Sequence, residues 1–289
     1  MNYRPKTFSI KEVAKYSGIK VATLRAWERR YKHIKPGRNG YNSRAYSLDD
    51  FCRTLKLSAI TRQGRRISDL VNLSPADLDK KFSDLILVEA RAKASLYIHF
   101  FKLEIEAFET LVGEVKNADG IQNTLNGLIF DFLATTGLFW RIPKYSFEHI
   151  AKSHLQNEIM GWATQPAFKK GALPKTVLLF SLGGPGNNLL LNYAFLQFKL
   201  RGWRVFDAGC SVPVENLEEL VSEYSPTIIF TAQNFNSREK RLAASTPYMR
   251  ASKRSTVIIA DRFSNDLQKI NENIFVTGYD AEFSFIDSL

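Results

Sequence analysis

Cysteine is nearly absent from this chain. Cys52 and Cys210 are its only two in 289 residues, too few and too far apart for a disulfide framework or a cysteine-ligated zinc. Both read as small half-buried side chains. Histidine is almost as scarce, with four in the chain and none after His154, so the rest of the sequence has no imidazole to offer a metal. No apolar run approaches the roughly 18–20 residues that a membrane span needs, and the opening "MNYRPKTFSI" lacks the apolar core of a secretory signal. These absences predict a cytoplasmic protein with no membrane partner. Enzyme signatures are missing too: "GGPGNN" has neither the Lys and Ser or Thr of a phosphate loop nor a third glycine, because Leu189 stands there. Asp49 and Asp50 read as the start of a helix rather than a catalytic pair, and no metal cluster or nucleophile with its base is found, so no enzyme activity is expected.

Acidic residues are rare at one end. Residues 1–80 hold 18 Lys and Arg against 7 Asp and Glu, and the remainder is balanced at 22 against 22, so the whole formal charge of +11 sits in the first quarter. A basic block with aromatics in it, attached to a neutral remainder, points to a polyanion-binding module joined to something that binds something else.

Within that block, "TFSIKEVAKYSGIKVATLRAWERRYK" reads as two short helices. Ser9 is an N-cap with Glu12 at capping-box spacing, and Gly18 ends the first helix. Leu24, Trp27 and Tyr31 recur at three- and four-residue spacing and face inward, leaving Arg25, Glu28, Arg29 and Arg30 on or near the outer face. That is the geometry of a helix-turn-helix whose second helix enters the major groove. The turn residues Pro36, Gly37, Asn39 and Gly40, followed by "SRAYSLDDF", predict a hairpin wing that brings Arg38 and Arg44 to neighbouring phosphates.

With these residues in view, "SIKEVAKYSGIKVATLRAWERRY" and "KPGRNGYNSRAYSLDDF" resemble the winged helix-turn-helix of MerR-type transcription regulators. The resemblance covers residues 7 to about 72, departing at Lys32, where the family often has glycine, and at Ser43, where an aromatic often precedes the wing arginine. It implies that Thr23, Arg25, Arg29, Arg30 and Tyr31, with Arg38 and Arg44 of the wing, contact double-stranded operator DNA. It also implies a homodimer or tetramer, with RNA polymerase as a further candidate partner.

Beyond the basic block the period changes twice. Ser74, followed by Pro75 and Asp77, starts a helical region, and apolar residues then recur at helical spacing in "DKKFSDLILVEARAKAS", "YIHFFKLEIEAFETLVGEV", "IQNTLNGLIFDFLATTGLFW" and "YSFEHIAKSHLQNEIMGW". A four-helix bundle over 74–163 follows, with breaks at Ser95 to Leu96 and at "NADG". From 176 to 289 five short apolar runs, "TVLLFSLG", "WRVFDAG", "TIIFTAQ", "STVIIADR" and "NIFVTG", alternate with helix-sized segments, predicting a flavodoxin-like five-stranded parallel α/β domain. A ligand would be expected at the loop after its first strand, "SLGGPGNN".

The order of a winged helix-turn-helix over 1–73, a helical bundle and a five-stranded α/β domain resembles the cobalamin-binding branch of MerR-type regulators, the CarA/CarH/LitR kind. That resemblance places Trp140, Glu148 and His149 of the bundle where those relatives cover the cofactor's upper face. The relatives' lower loop carries a polar residue, a cobalt-ligating histidine and a glycine, and here these positions are Asn187, Leu189 and Asn192. A leucine cannot ligate cobalt, so no cofactor is expected, and cobalamin in the His-on mode least of all. Two readings stay open. One is a transcription regulator whose tail has lost cobalamin and serves oligomerisation, a partner or another ligand; the other is a regulator, light-responsive in some relatives, that still answers to cobalamin or another small molecule through a residual pocket at these six residues.

Overall fold

Ser9 opens the first helix, α1 (Ile10–Ser17), through the expected capping box. Its hydroxyl accepts from the Glu12 N–H while the Glu12 carboxylate accepts from the Ser9 N–H at 2.7 Å. The helix closes at Gly18, whose φ of 67° lies in the left-handed region that glycine enters without a Cβ penalty. Then α2 (Val21–Arg30), the two-residue strands β1 (Gly37–Arg38) and β2 (Arg44–Ala45), and α3 (Leu48–Thr61) follow. The strands pair antiparallel, Phe8 bridges Tyr46 beside them, and Ser47 with Asp50 forms a second capping box at the start of α3.

This is a computed structural model, and it describes residues 7–31, 36–85, 89–138, 146–164, 175–181, 188–213, 216–233, 253, 255–261, 268–269, 272–277 and 283. The chain divides into two units, Met1–Thr136 with Lys144–Ala151 and Gly137–Pro143 with Lys152–Leu289. The winged module and the helices α4 (Pro75–Ser83), α5 (Glu89–Lys102), α6 (Ile105–Asn123) and α7 (Phe130–Thr136) fall in the first. Rings join them: Phe8 stacks on Phe51 at 4.1 Å, and Phe101 of α5 meets Phe8, Tyr16 and Phe51 edge-on at 5.1–5.2 Å. Edge-to-face pairs of this kind add to the stabilisation from burial, so α5 is cemented to the winged module.

One helix break differs from those the sequence predicts. No break falls at Ser95–Leu96, because α5 runs on to Lys102 with Ser95 to Ile98, Phe100 and Phe101 buried. The chain turns instead at Leu103, whose φ is 67°, and the Glu104 N–H closes the end on the His99 carbonyl at 3.0 Å. The expected break at "NADG" is present: Gly120, with φ 79° and ψ 164°, is non-helical, and two helical stretches meet there in a kink within α6. A π-helical stretch, Thr124–Ile129, then leads into α7. Burial of Leu96, Tyr97, Ile98, Phe100 and Phe101 keeps the Ser95 to Phe101 stretch helical.

Cys52 is buried on α3 at 4% exposure, and burial pushes its thiol up to about 11. A thiol raised above its unfolded value of about 8.5 adds stability below that pH and loses it as pH climbs through the folded value. We therefore expect an aromatic disulfide reagent at pH 8 to titrate Cys210, which is half-buried, well before Cys52. Cys52 reacts with unfolding, and the wild-type chain loses stability above about pH 9 by more than a Cys52→Ala variant does. Equal reaction of the two thiols in the folded protein would contradict this burial.

In the second unit, β3 (Thr176–Ser181), β4 (Arg204–Cys210), β5 (Ile228–Gln233), β6 (Thr256–Asp261) and β8 (Ile274–Thr277) pair in parallel in the order β4-β3-β5-β6-β8. That is the expected flavodoxin-like arrangement. A short sixth strand, β7 (Gln268–Lys269), pairs antiparallel with β8. On one face Leu178, Phe180, Ile229, Val257 and Ile259 pack with Leu217 and Val221 of α10 (Leu217–Tyr224). The alternate residues of the pleat serve the other face, where α9 (Asn188–Leu200) brings Phe198 to Phe230 at 5.9 Å. Of α8 (Ser146–Ala163), the part from Lys152 onward belongs to this unit, and Lys199 of α9 donates to the Ala163 carbonyl at 2.6 Å. No helix among the described residues is long and apolar enough to cross a membrane.

Candidate nucleic-acid interface and the degenerate ligand positions

The face of α2 that turns away from its buried residue is cationic. Leu24 is fully buried, while Trp27 and Tyr31 are half-buried, so the inward stripe read from the sequence is anchored mainly by Leu24. Successive helical residues rotate by 100°, which sets Thr23, Arg25, Arg29 and Arg30 around the remaining arc. All four are exposed. The wing is rigid at its turn: the Asn39 side-chain oxygen accepts from the Tyr41 and Ser43 N–H groups at 3.0 and 2.9 Å, and Asn42 adopts φ 56°. Arg38 is exposed and donates to the Asn42 carbonyl at 3.1 Å.

Two residues stand differently from the sequence expectation. Glu28 does not lie on the outer face, since its side chain is only 10% exposed. Arg44, expected to face phosphate, donates its Nε to Glu28 Oε2 at 2.5 Å, and the Tyr46 hydroxyl donates to the other Glu28 oxygen. Burial and the Glu28 carboxylate together push the Tyr46 phenol well above its ordinary value, so it keeps the proton it donates. One carboxylate thus latches the wing strand to the recognition helix. Spacing could not show it, because the partners are 16 and 18 residues away. Sequence reasoning also passed over Tyr41, which stands 92% exposed at the wing tip; the signal available was an aromatic set among turn-forming residues in "NGYNS".

The degenerate ligand positions are described in part. Trp140 and Asn187, with the rest of loop 182–187, lie outside the described residues. On α8 Glu148 is buried and His149 is exposed; on α9 Leu189 is fully buried and Asn192 half-buried. Leu189, which the resemblance sets at the position of the relatives' ligating histidine, presents only carbon. Thr231 on β5 carries a buried hydroxyl with no hydrogen-bond partner among the described residues. No group of three or more His, Cys, Asp or Glu placed to hold a metal ion occurs among the described residues. Of the described positions on α9, Leu189 and Asn192 carry no imidazole.

A cationic recognition helix latched to a wing, followed by helices and a parallel α/β sheet, defines a DNA-binding transcription regulator of MerR type. Residues 8–73 match the MerR HTH family regulatory protein. The chain as a whole is CarA/CarH-like: it is 23% identical over 227 residues to the HTH-type transcriptional repressor CarA of Myxococcus xanthus, covering 77% of this chain and 75% of that one. It is also 36% identical over 70 residues to the HTH-type transcriptional repressor CarH of the same organism, covering 24% of this chain and 23% of the other. Among solved structures it is similar to the monomethylamine corrinoid protein of Methanosarcina barkeri, with 11% identity, a TM-score of 0.46, and coverage of 66% of this chain and 94% of that one.

Proposed function

We propose that the protein represses or activates transcription in the cytoplasm by binding a pseudo-palindromic operator as a homodimer or tetramer, and that its C-terminal α/β unit works without cobalamin. The observation that carries the DNA-binding half is the exposure of Thr23, Arg25, Arg29 and Arg30 on one arc of α2, with Arg38 exposed on the latched wing. Phosphate contacts by these arginines fix register, and those of α2 that reach base edges supply sequence discrimination. Dimers set two recognition helices about one DNA turn apart.

The cobalamin-free half is supported by Leu189, whose fully buried side chain belongs to the packing of α9 and offers no donor atom where an imidazole would be required. Loss of a metal ligand is more severe than loss of the residues behind it, which alone costs about 10- to 100-fold in affinity. The unit would then serve oligomerisation, a protein partner or a different ligand. Incubating the purified chain with adenosylcobalamin and desalting it in the dark is the test. We expect the eluted protein to carry no visible corrinoid absorbance. Stoichiometric retention of the spectrum would overturn the reading of Leu189 while leaving the DNA-binding reading intact.

A further inference from the structure

A cleft of about 170 Å³ opens inside the first unit, between the end of α1, the end of α3, the start of α5 and α7. We propose that it is a binding site for a small organic oxyanion, a carboxylate or phosphate-bearing molecule of about ten heavy atoms or fewer, and that its occupancy is felt by the recognition helix. The binding does not depend on the function proposed above. The coupling does, because it requires α2 to be the helix that meets DNA.

The size limits the ligand. Cavities of about 150 Å³ hold a benzene ring, so a nucleotide is too large and a bare metal ion too small to fill the space. The charge sets its sign. Lys15, Arg62 and Lys93 line the cleft against one carboxylate, Asp131. Lys93 lies 3.5 Å from Asp131 and 2.6 Å from Glu89, so three cations face two acids and the surroundings of the cleft keep one net positive charge. A planar guanidinium matches a carboxylate or phosphate edge in two parallel hydrogen bonds. Tyr16 and Tyr97 supply aromatic walls and Thr135 a hydroxyl, which suits an anion with a short carbon body rather than a bare inorganic ion.

Arg62 connects the cleft to the DNA-binding helix. Its Nη2 donates to the Ser17 carbonyl at 3.2 Å, the same carbonyl that accepts from Ser58 Oγ at 2.7 Å. A Cβ placed on Gly18 would lie 2.0 Å from that nitrogen, so the guanidinium sits flush on the turn between α1 and α2. An anion that draws Arg62 toward itself competes with Ser17 for the same donor, and the turn that aims α2 changes with it.

Calorimetric titration of the full chain with inorganic phosphate and, separately, with L-malate tests the proposal, at ionic strength held constant with chloride. We expect saturable binding of at least one of them, weakened at least tenfold by Lys15→Gln, which removes an exposed charge, and by Ala90→Phe, which fills the mouth and leaves every charge in place. Circular dichroism confirms that both variants fold. Preference for malate assigns the site to a carboxylate, and preference for phosphate to a phosphate monoester. Absence of saturable binding by both probes, or binding that Ala90→Phe leaves unchanged, overturns the site. Coupling is read from DNA affinity at constant ionic strength: a severalfold change on adding the bound probe, lost in Ala90→Phe, supports it, and an unchanged affinity with a filled site overturns coupling alone. A chain that binds the probe but no DNA at all overturns the DNA-binding reading instead.

Discussion

Replacing Arg25 and Arg29 together by alanine lowers operator affinity by about 30- to 20,000-fold. The estimate follows from about 1–3 kcal/mol for each specific arginine contact and a tenfold change in affinity per 1.4 kcal/mol. Both side chains are exposed on α2 and neither supports the core, so the thermal midpoint of the variant should stay close to that of the wild type. Salt dependence separates their roles. A residue that only neutralises phosphate weakens binding to every DNA and lowers the slope of log affinity against log salt by about 0.9, whereas a residue that reads a base weakens the operator much more than random DNA. Anisotropy titrations of Arg25→Ala, Arg29→Ala and the pair, against operator and scrambled duplexes at several salt concentrations, give both numbers. If the double variant binds as the wild type does, with an unchanged slope, α2 is not the contacting helix and the assignment of the basic block fails.

The parts of the fold that were legible in the sequence are those set by short-range rules. Ser9 with Glu12 and the closing Gly18 are local devices, and each is found where its spacing puts it. The central parallel strands were legible because buried strands are largely uninterrupted apolar runs, such as Val177 to Phe180 and Ile228 to Phe230. Helix boundaries in the middle of the chain were not. The Ser95 to Phe101 stretch stays helical because Phe101 must reach Phe8, Tyr16 and Phe51, residues 40 or more positions earlier in the chain, and no local pattern records that demand. The same holds at the candidate site: charge and exposure on α2 follow from helical periodicity, but the burial of Glu28 follows from Arg44 and Tyr46 arriving from another element. Glu28, four residues after Leu24, shares the inward side of α2, and its carboxylate is held there by Arg44 and Tyr46. Leu189 shows the opposite case, since a leucine flanked by Leu190 and Leu191 at the start of a helix declares its burial locally and is indeed fully enclosed.

Glu28 is for that reason the residue whose loss should most disturb the module's architecture. Alanine at this position leaves the Arg44 guanidinium, 28% exposed, and the Tyr46 hydroxyl, on a residue 1% exposed, without the carboxylate both were folded around. Breaking a buried ion pair from one side costs about 3–5 kcal/mol. The partial exposure of Arg44 lets water recover some of this, so we expect about 2–4 kcal/mol and, for a unit of this size, a fall in midpoint of about 5–15 °C. Tyr46→Phe removes one hydrogen bond and leaves the ion pair, for about 1 kcal/mol. A double-mutant cycle on Glu28→Ala and Arg44→Ala isolates the pair: if the latch is real, the second substitution costs much less once the first is in place. DNA affinity should fall with the same series although Glu28 carries the wrong charge to touch phosphate, because a wing released from α2 no longer holds Arg38 in position. Were Glu28→Ala to match the wild type in both stability and affinity, the wing would be fixed by the Phe8–Tyr46 bridge, and the carboxylate would be a bystander beside Arg44.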